Sequence, residues 1–289
     1  MNHCWVVLLF LAGAGLFAAQ DADRAGMLVS AEWLAARLGD PSVVILHVGW
    51  KQDYEAGHIP GARLVALSDI SITGERGLRL ELPPVAALEE AFGKVGVADG
   101  SRIVVYPGTE SVQSATRVWF TLDYLGLGGR ASLLDGGLRL WRAEGRPVST
   151  DTPRVASTKF TAHPRPDAVV DAAWVESHRR DTGVAIVDAR TAEFYTGASA
   201  GNMPRAGHIP GARSVPYNSL FDDRGKLKPA AELRELLRPG KLTVSYCHIG
   251  QQATVPYFAA RYLGLEARLY DGSFQDWSAR TELPVETGR

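Results

Sequence analysis

The chain has 289 residues, 46% of them hydrophobic and 22% charged, with a formal net charge of −1. That is an ordinary globular composition, long enough for two domains. The near-neutral balance, with Lys and Arg scattered, leaves no electrostatic footprint for nucleic acid or an acidic membrane surface, and the sequence holds no Cys/His cluster with metal-binding spacing.

Residues 1–20, MNHCWVVLLFLAGAGLFAAQ, contain no Asp, Glu, Lys or Arg. Their apolar stretch, Trp5–Ala19, is short for a bilayer span, which takes about 20 residues. The segment reads as a secretory signal peptide, with an uncleaved N-terminal anchor as the alternative. The expectation is an exported protein, periplasmic or secreted, with no stable membrane association once the signal is removed. Cys4 lies inside this segment, so the mature chain would keep Cys247 alone and no internal disulfide could form. A thiol left unpaired in an oxidising compartment needs a chemical reason.

Beyond the leader the chain repeats itself. AGHIPGAR occurs at Ala56–Arg63 and again at Ala206–Arg213. Other matches keep the same order: VSAEWLAARL with VDAAWVESHR, VVILHV with VAIVDA, RIVVY with LTVSY, and DYLGLGGRASLLDGGLRLW with RYLGLEARLYDGSFQDW. Eight identical residues in a row, within an ordered set, mark two copies of one domain. In each copy a helix opens after a capping residue, Ser30 or Asp171. A β-branched run follows, evenly hydrophobic as a strand covered on both faces should be. Then come a Gly/Pro-rich loop, a helix (84–92 or 229–237), a second apolar strand, another helix, a short strand, and a last helix ending near Trp141 or Trp277. The alternation predicts α/β architecture, with two tandem domains each built on a parallel sheet covered by helices on both faces. The first domain spans 27–148 and the second 167–289. The Pro-, Thr- and Ser-rich segment 149–166 is the linker.

The second apolar strand of the second copy stops at Cys247, and CHIGQQ follows before helical periodicity resumes. Ligands of open α/β sheets bind beyond the carboxyl ends of strands. Gly250 permits a tight turn whose backbone N–H groups point inward as a nest. A helix starting around Gln251 or Gln252, with Pro256 near its start, adds free amides and the positive end of its dipole. Both favour a thiolate on Cys247 near neutral pH. The equivalent loop of the first copy, YPGTESVQSATRVW, is two residues longer and has no thiol; counted from the strand, Pro107 replaces Cys247, and counted back from Tyr-Leu-Gly, Thr109 does. One active site per chain, in the second domain, is the natural inference.

Two α/β copies that each carry AGHIPGA and a terminal DG…W segment, with a cysteine-led loop only in the second, resemble the tandem-domain rhodanese family of thiosulfate/3-mercaptopyruvate sulfurtransferases. The resemblance runs from about Met27 to the end. It implies an inactive first domain and a catalytic second one. It also implies that Cys247 takes the sulfane sulfur of thiosulfate or a related donor as a persulfide and passes it to cyanide or a thiol, with no cofactor or metal. The partners are then a small sulfur donor and a thiol or cyanide acceptor. The alternatives are a 3-mercaptopyruvate sulfurtransferase, or a persulfide carrier serving one dedicated partner. A Cys-x5-Arg phosphatase is excluded, because Ala253 stands where its arginine would be.

The neighbours of Cys247 fill in the candidate site: His248, Ile249, Gly250, Gln251 and Gln252 through loop backbone and side chains. His248 offers a hydrogen bond or partial positive charge to an anionic donor, or is a solvated loop residue. The two glutamines donate to oxyanions or simply open the helix. CHIGQQ matches neither the cation-bearing loop that the thiosulfate-type resemblance implies nor a small Cys-Gly-x-Gly-like loop. Phe194 stands near the position where the family often places a binding arginine. Arg190 and Arg205 are therefore the candidate anion contacts, with an Asp188 ion pair as the structural alternative for Arg190. His58 and His208 recur in both copies and read as architecture, as do Trp141 and Trp277.

Overall fold

A computed structural model describes residues 26–74, 76–109 and 111–288; the leader lies outside the described residues. In the first domain the elements are β1 (Leu28–Val29), α1 (Ala31–Ala35), β2 (Val43–Val48), α2 (Lys51–Ala56), β3 (Arg63–Val65), α3 (Val85–Lys94), β4 (Arg102–Pro107), α4 (Val112–Tyr124), β5 (Ala131–Leu134) and α5 (Gly137–Ala143). The second domain repeats them as β6 (Val169–Val170), α6 (Ala172–His178), β7 (Val184–Asp188), α7 (Ala192–Thr196), β8 (Arg213–Ser214), α8 (Ala230–Leu237), β9 (Leu242–Tyr246), α9 (Thr254–Tyr262), β10 (Glu266–Tyr270) and α10 (Ser273–Ala279). Each set forms a five-stranded, all-parallel sheet, ordered β1-β5-β4-β2-β3 and β6-β10-β9-β7-β8. The parallel α/β reading therefore holds. The sequence missed the edge strands β1, β3, β6 and β8 and the short helices α2 and α7, because two to six residues are too few to display a period.

The caps form as expected. Ser30 Oγ accepts from the Trp33 amide at 3.1 Å, and the Asp171 carboxylate accepts from the Trp174 amide at 2.8 Å. The repeated AGHIPGA segments are structural duplicates. His58 Nδ1 meets the Tyr54 carbonyl and His208 Nδ1 the Tyr195 carbonyl, each at 2.8 Å, and each imidazole stacks on that tyrosine at 3.8 Å. Trp141 and Trp277 are buried, and each donates its indole N–H to a proline carbonyl, of Pro147 and Pro284, at 2.7 Å. The terminal helix of each domain is pinned this way.

The outer face of each sheet has its own apolar cluster, but the inner faces share one. That cluster runs from Val105 and Trp119 in the first domain to Cys247, Phe258 and Leu269 in the second. Its centre is the packing of α4 on α9. Thr116 and Thr254, equivalent positions in the two copies, meet hydroxyl to hydroxyl at 2.7 Å. Trp119 meets Phe258 edge-on at 4.7 Å and Phe120 meets Tyr257 at 4.9 Å. Such aromatic pairs contribute about 0.5–1.5 kcal/mol each beyond their buried area. Tyr257 also donates its hydroxyl to Asp123 at 2.7 Å, and Arg165 reaches the same carboxylate at 2.7 Å. The domains are thus fused through one core. Residues 151–165, which have no regular structure, run along the first domain on backbone bonds such as Thr158 N–H to the Gly93 carbonyl.

Candidate active site

β9 is the middle strand of its sheet, between β10 and β7. The chain leaves β7 towards one edge and returns through β9 to the other side, so the end of β9 lies at the switch point where parallel sheets open a crevice. Cys247 is the first residue past that end and is 1% exposed. Its amide donates to Ser273 Oγ at 3.1 Å, and its carbonyl accepts from the Phe274 amide at 2.9 Å. Ser273 is held at φ +52°, the left-handed region, and donates on to the Tyr270 carbonyl at 2.9 Å. The first domain has Gly137 at the matching place, at φ +57°. A serine there costs about 1 kcal/mol or more of backbone strain, and its hydroxyl fixes the root of the cysteine loop.

From His248 to Ala253 the backbone N–H groups donate to no acceptor among the described residues. These amides, in the loop that begins at Cys247, are left free to meet a ligand. Gly250, at φ +80°, makes the turn; a Cβ there would lie 2.6 Å from Asp271 Oδ1 and 2.7 Å from the Asp271 carbonyl oxygen. The regular helix starts at Thr254, later than the expected Gln251 or Gln252. Residues 251–255 first make a tighter turn, with Thr254 N–H to the Gln251 carbonyl and Val255 N–H to the Gln252 carbonyl.

The first domain's loop is closed instead. Tyr106 and Tyr246 occupy equivalent places, each accepting on its hydroxyl from an isoleucine amide, Ile59 at 3.0 Å and Ile209 at 3.1 Å. That register sets Pro107 opposite Cys247. Gly108 N–H donates to the Val48 carbonyl at 2.8 Å, and a Cβ on Gly108 would lie 2.0 Å from His47 Nε2. Burial, with the nearby His58 and Arg142 charges, pushes His47 down to about 4, so it is neutral at pH 7.

Around Cys247 a pocket of about 290 Å³ is walled by His248, Ile249, Gln251 and Gln252 on one side and by Phe194 and Met203 on the other. His248 lies edge-on to the Phe194 ring at 4.5 Å. Burial first, and then the Arg190 charge, push its imidazole below the ordinary histidine value, so at neutral pH it brings no positive charge to the pocket. Gln251 donates to Ser114 Oγ of the first domain at 2.9 Å, while Gln252 Oε1 is buried with no partner. Gly250 turns its carbonyl away from the pocket, to the Arg117 guanidinium at 3.1 Å.

Neither expected arginine reaches this pocket. Arg190 is 1% exposed and clasps Asp188 with its Nε at 3.0 Å and Nη2 at 2.6 Å; Nη2 also donates to the Gly207 carbonyl at 2.7 Å. The guanidinium lies 4.1 Å from the Phe274 ring centroid. Of the two readings, the structural ion pair is the one formed. Burial opposes its charge, but the Asp188 carboxylate outweighs that and holds it above its ordinary value. Arg205, expected as an anion contact, is corrected. It donates to the carbonyls of Trp277, Ser278, Arg280 and Leu283 at 2.7–2.9 Å, clamping the C-terminal segment. These bonds occupy four of the five N–H donors of its guanidinium.

Two arginines of the first domain take up positions the sequence did not reveal. Arg117, on α4 and fully buried, binds the Asp271 carboxylate at 2.5 Å, the Gly250 carbonyl and the Leu80 carbonyl. Arg79, in the loop after β3, lines the Cys247 pocket. The available signal was length. Between AGHIPGAR and the next helix the first copy runs through residues 64–83 and the second only through 214–228, and the extra chain carries arginine.

A family profile described as rhodanese-like domain matches residues 30–144 and 171–280. Over 282 residues the chain is 31% identical to a probable 3-mercaptopyruvate sulfurtransferase of Pseudomonas aeruginosa, covering 90% of this chain and 98% of that one. It is 32% identical over 282 residues to a thiosulfate sulfurtransferase of Corynebacterium glutamicum, covering 90% of each. Among solved structures, an anaerobic ergothioneine biosynthesis enzyme from Chlorobium limicola, in complex with trimethyl histidine, shares the fold. Its TM-score is 0.82 at 21% identity, over 92% of this chain and 71% of that one. With two matched domains, a duplicated parallel α/β architecture and relatives of this identity over nearly the whole length, the chain belongs to the rhodanese family of sulfurtransferases.

Proposed function

We propose that the protein transfers the sulfane sulfur of thiosulfate through a persulfide on Cys247 to cyanide or a thiol. The observation that supports this most is a buried cysteine at the end of β9 that opens a loop whose amides from His248 to Ala253 have no partner among the described residues. Amide N–H groups aimed at an anion make charge-assisted bonds of about 1.5–3 kcal/mol each. They stabilise the attacking thiolate and, one atom further out, the terminal sulfur of the persulfide. In the first step the Cys247 thiolate attacks the sulfane sulfur, the bond between the two thiosulfate sulfurs breaks, and its electron pair leaves with sulfite. In the second, the acceptor attacks the terminal sulfur. Cyanide leaves as thiocyanate, or a thiolate leaves as a persulfide, and the Cys247 thiolate returns.

A 3-mercaptopyruvate donor is the second reading, favoured by the name of the Pseudomonas relative. The same persulfide then forms with loss of pyruvate. The apolar leader supports export, which the N-terminal mass of secreted material tests. The decisive experiment for the activity is Cys247→Ser. Thiocyanate formation from thiosulfate and cyanide should vanish while the unfolding midpoint stays near that of the parent. Retained turnover would refute the assignment. A protein that accepts one sulfur and then stops, with free acceptor present, is a carrier for a dedicated partner instead.

A further inference from the structure

Sulfur donors of this class are anions, thiosulfate with its charged oxygens on the atom bonded to the sulfur to be transferred and 3-mercaptopyruvate with its carboxylate further along the molecule, and CHIGQQ holds no fixed cation for them. We infer that Arg79, supplied by the first domain, is the donor-binding cation of the second domain's active site, contacting the sulfonate or carboxylate while Cys247 takes the sulfur. This rests on the sulfurtransferase reading.

Three observations carry it. First, Arg79 is the cation among the described residues lining the Cys247 pocket, and it stands where that pocket meets a wider cleft between the domains. Arg79, Ile249 and Gln251 all border both cavities, so the two meet beside this arginine. Second, the other nearby cations are committed. Arg190 is held by Asp188, Arg117 by Asp271, and Arg76, from the same loop as Arg79, by Asp276 at 3.1 Å. No carboxylate among the described residues lies within salt-bridge reach of Arg79. Its side chain is exposed to the pocket. His248, kept neutral by burial and by cations that include Arg79, does not substitute for it.

Third, the backbone beneath Arg79 is tied to the nucleophile loop from both sides. The Arg79 amide donates to Gln275 Oε1 at 3.0 Å, and Gln275 Nε2 donates to the Gly77 carbonyl at 3.0 Å. The backbone amide of the same Gln275 donates to the His248 carbonyl at 2.9 Å. On the other side Leu80, strained at φ +62°, gives its carbonyl to Arg117, which also holds the Gly250 carbonyl. A non-glycine residue in the left-handed region persists only where its surroundings over-determine it. Here those surroundings are two clamps that fix the base of Arg79 relative to Cys247, leaving the side chain to meet the ligand. The first domain, without a nucleophile of its own, thereby contributes to the chemistry of the second.

The test compares wild type with Arg79→Gln and Arg79→Lys, using thiosulfate and 3-mercaptopyruvate as separate donors and cyanide as acceptor. Wild-type turnover is measured first; if neither donor reacts, the sulfurtransferase reading fails and the inference with it. Given turnover, Arg79→Gln should lower kcat/KM for the anionic donor about tenfold or more, mainly through KM, as loss of one charge-assisted contact predicts. It should also flatten the fall of kcat/KM with added salt. Arg79→Lys should recover part of both. A loss on thiosulfate assigns the sulfonate as the ligand, and a loss on 3-mercaptopyruvate the carboxylate. Unchanged kcat/KM and salt dependence on both donors would overturn the inference while leaving the activity standing.

Discussion

Arg117→Met removes a link between the first domain and the Cys247 loop. Arg117 is fully buried, and three acceptors depend on it: the Asp271 carboxylate, the Gly250 carbonyl and the Leu80 carbonyl. Methionine fills most of the volume but donates nothing. Asp271, 6% exposed, would keep the Leu82 amide at 3.2 Å and lose its countercharge. Removing one partner of a buried pair costs about 3–5 kcal/mol, because the other charge stays behind unpaired. That is a large part of the roughly 5–15 kcal/mol by which domains are stable. The assay is urea unfolding followed by tryptophan fluorescence, with turnover of thiosulfate measured in parallel. The double variant Arg117→Met/Asp271→Leu separates charge from positioning. Eliminating both charges should return most of the lost stability. Activity should stay low, because the carbonyls at Gly250 and Leu80 still lack their donor. A single variant within about 1 kcal/mol of wild type, or a double variant with full turnover, would refute this account of how the loop is held.

Gly250→Ala should cost about 1–2 kcal/mol in left-handed strain, and more because its Cβ runs into the Asp271 backbone carbonyl and carboxylate at 2.7 and 2.6 Å; donor turnover should fall. Gly61→Ala is the matched control. Its φ of +79° imposes similar strain but a Cβ there meets nothing within 4 Å, so unfolding shifts slightly and turnover is kept. Equal effects of the two on activity would remove the special role of Gly250. His47 supplies a pH signature. Its folded value of about 4 lies below the ordinary histidine value of 6.5, so the unfolded chain binds more protons between the two. Stability should be complete above pH 6.5 and fall as the pH drops towards 4, by about 3 kcal/mol for this group. His47→Gln, compared with wild type by unfolding at about pH 7 and about pH 4.5, should reduce that dependence; an unaltered pH slope would contradict a neutral buried imidazole.

Much of this architecture is legible in the order of the residues alone. AGHIPGAR written twice marks the duplication, and the evenly apolar runs around 43–48, 102–106, 184–188 and 242–246 mark the central strands. These features follow from local periodicity and from direct repetition. The place of Cys247 after a strand and before a helix is equally local. The short edge strands escape because they are defined by pairing, not by pattern: Leu28–Val29 is a strand only because Leu133 and Leu134 lie beside it. Arg190 is readable as one half of a pair with Asp188, two residues away. Arg205 is not, because the carbonyls that satisfy it lie more than 70 residues further on.

The sequence by itself determined two domains and the place of Cys247 between a strand and a helix. The tertiary structure alone decided that residues of both domains meet at the Cys247 loop. Arg79 and Arg117 reach the cysteine loop only because α4 packs on α9, where Thr116 meets Thr254 across 138 residues of chain. No local pattern encodes that contact. It arises from apolar faces that each domain must bury and that fit one another, and the charges riding on those faces arrive at the sulfur as a consequence.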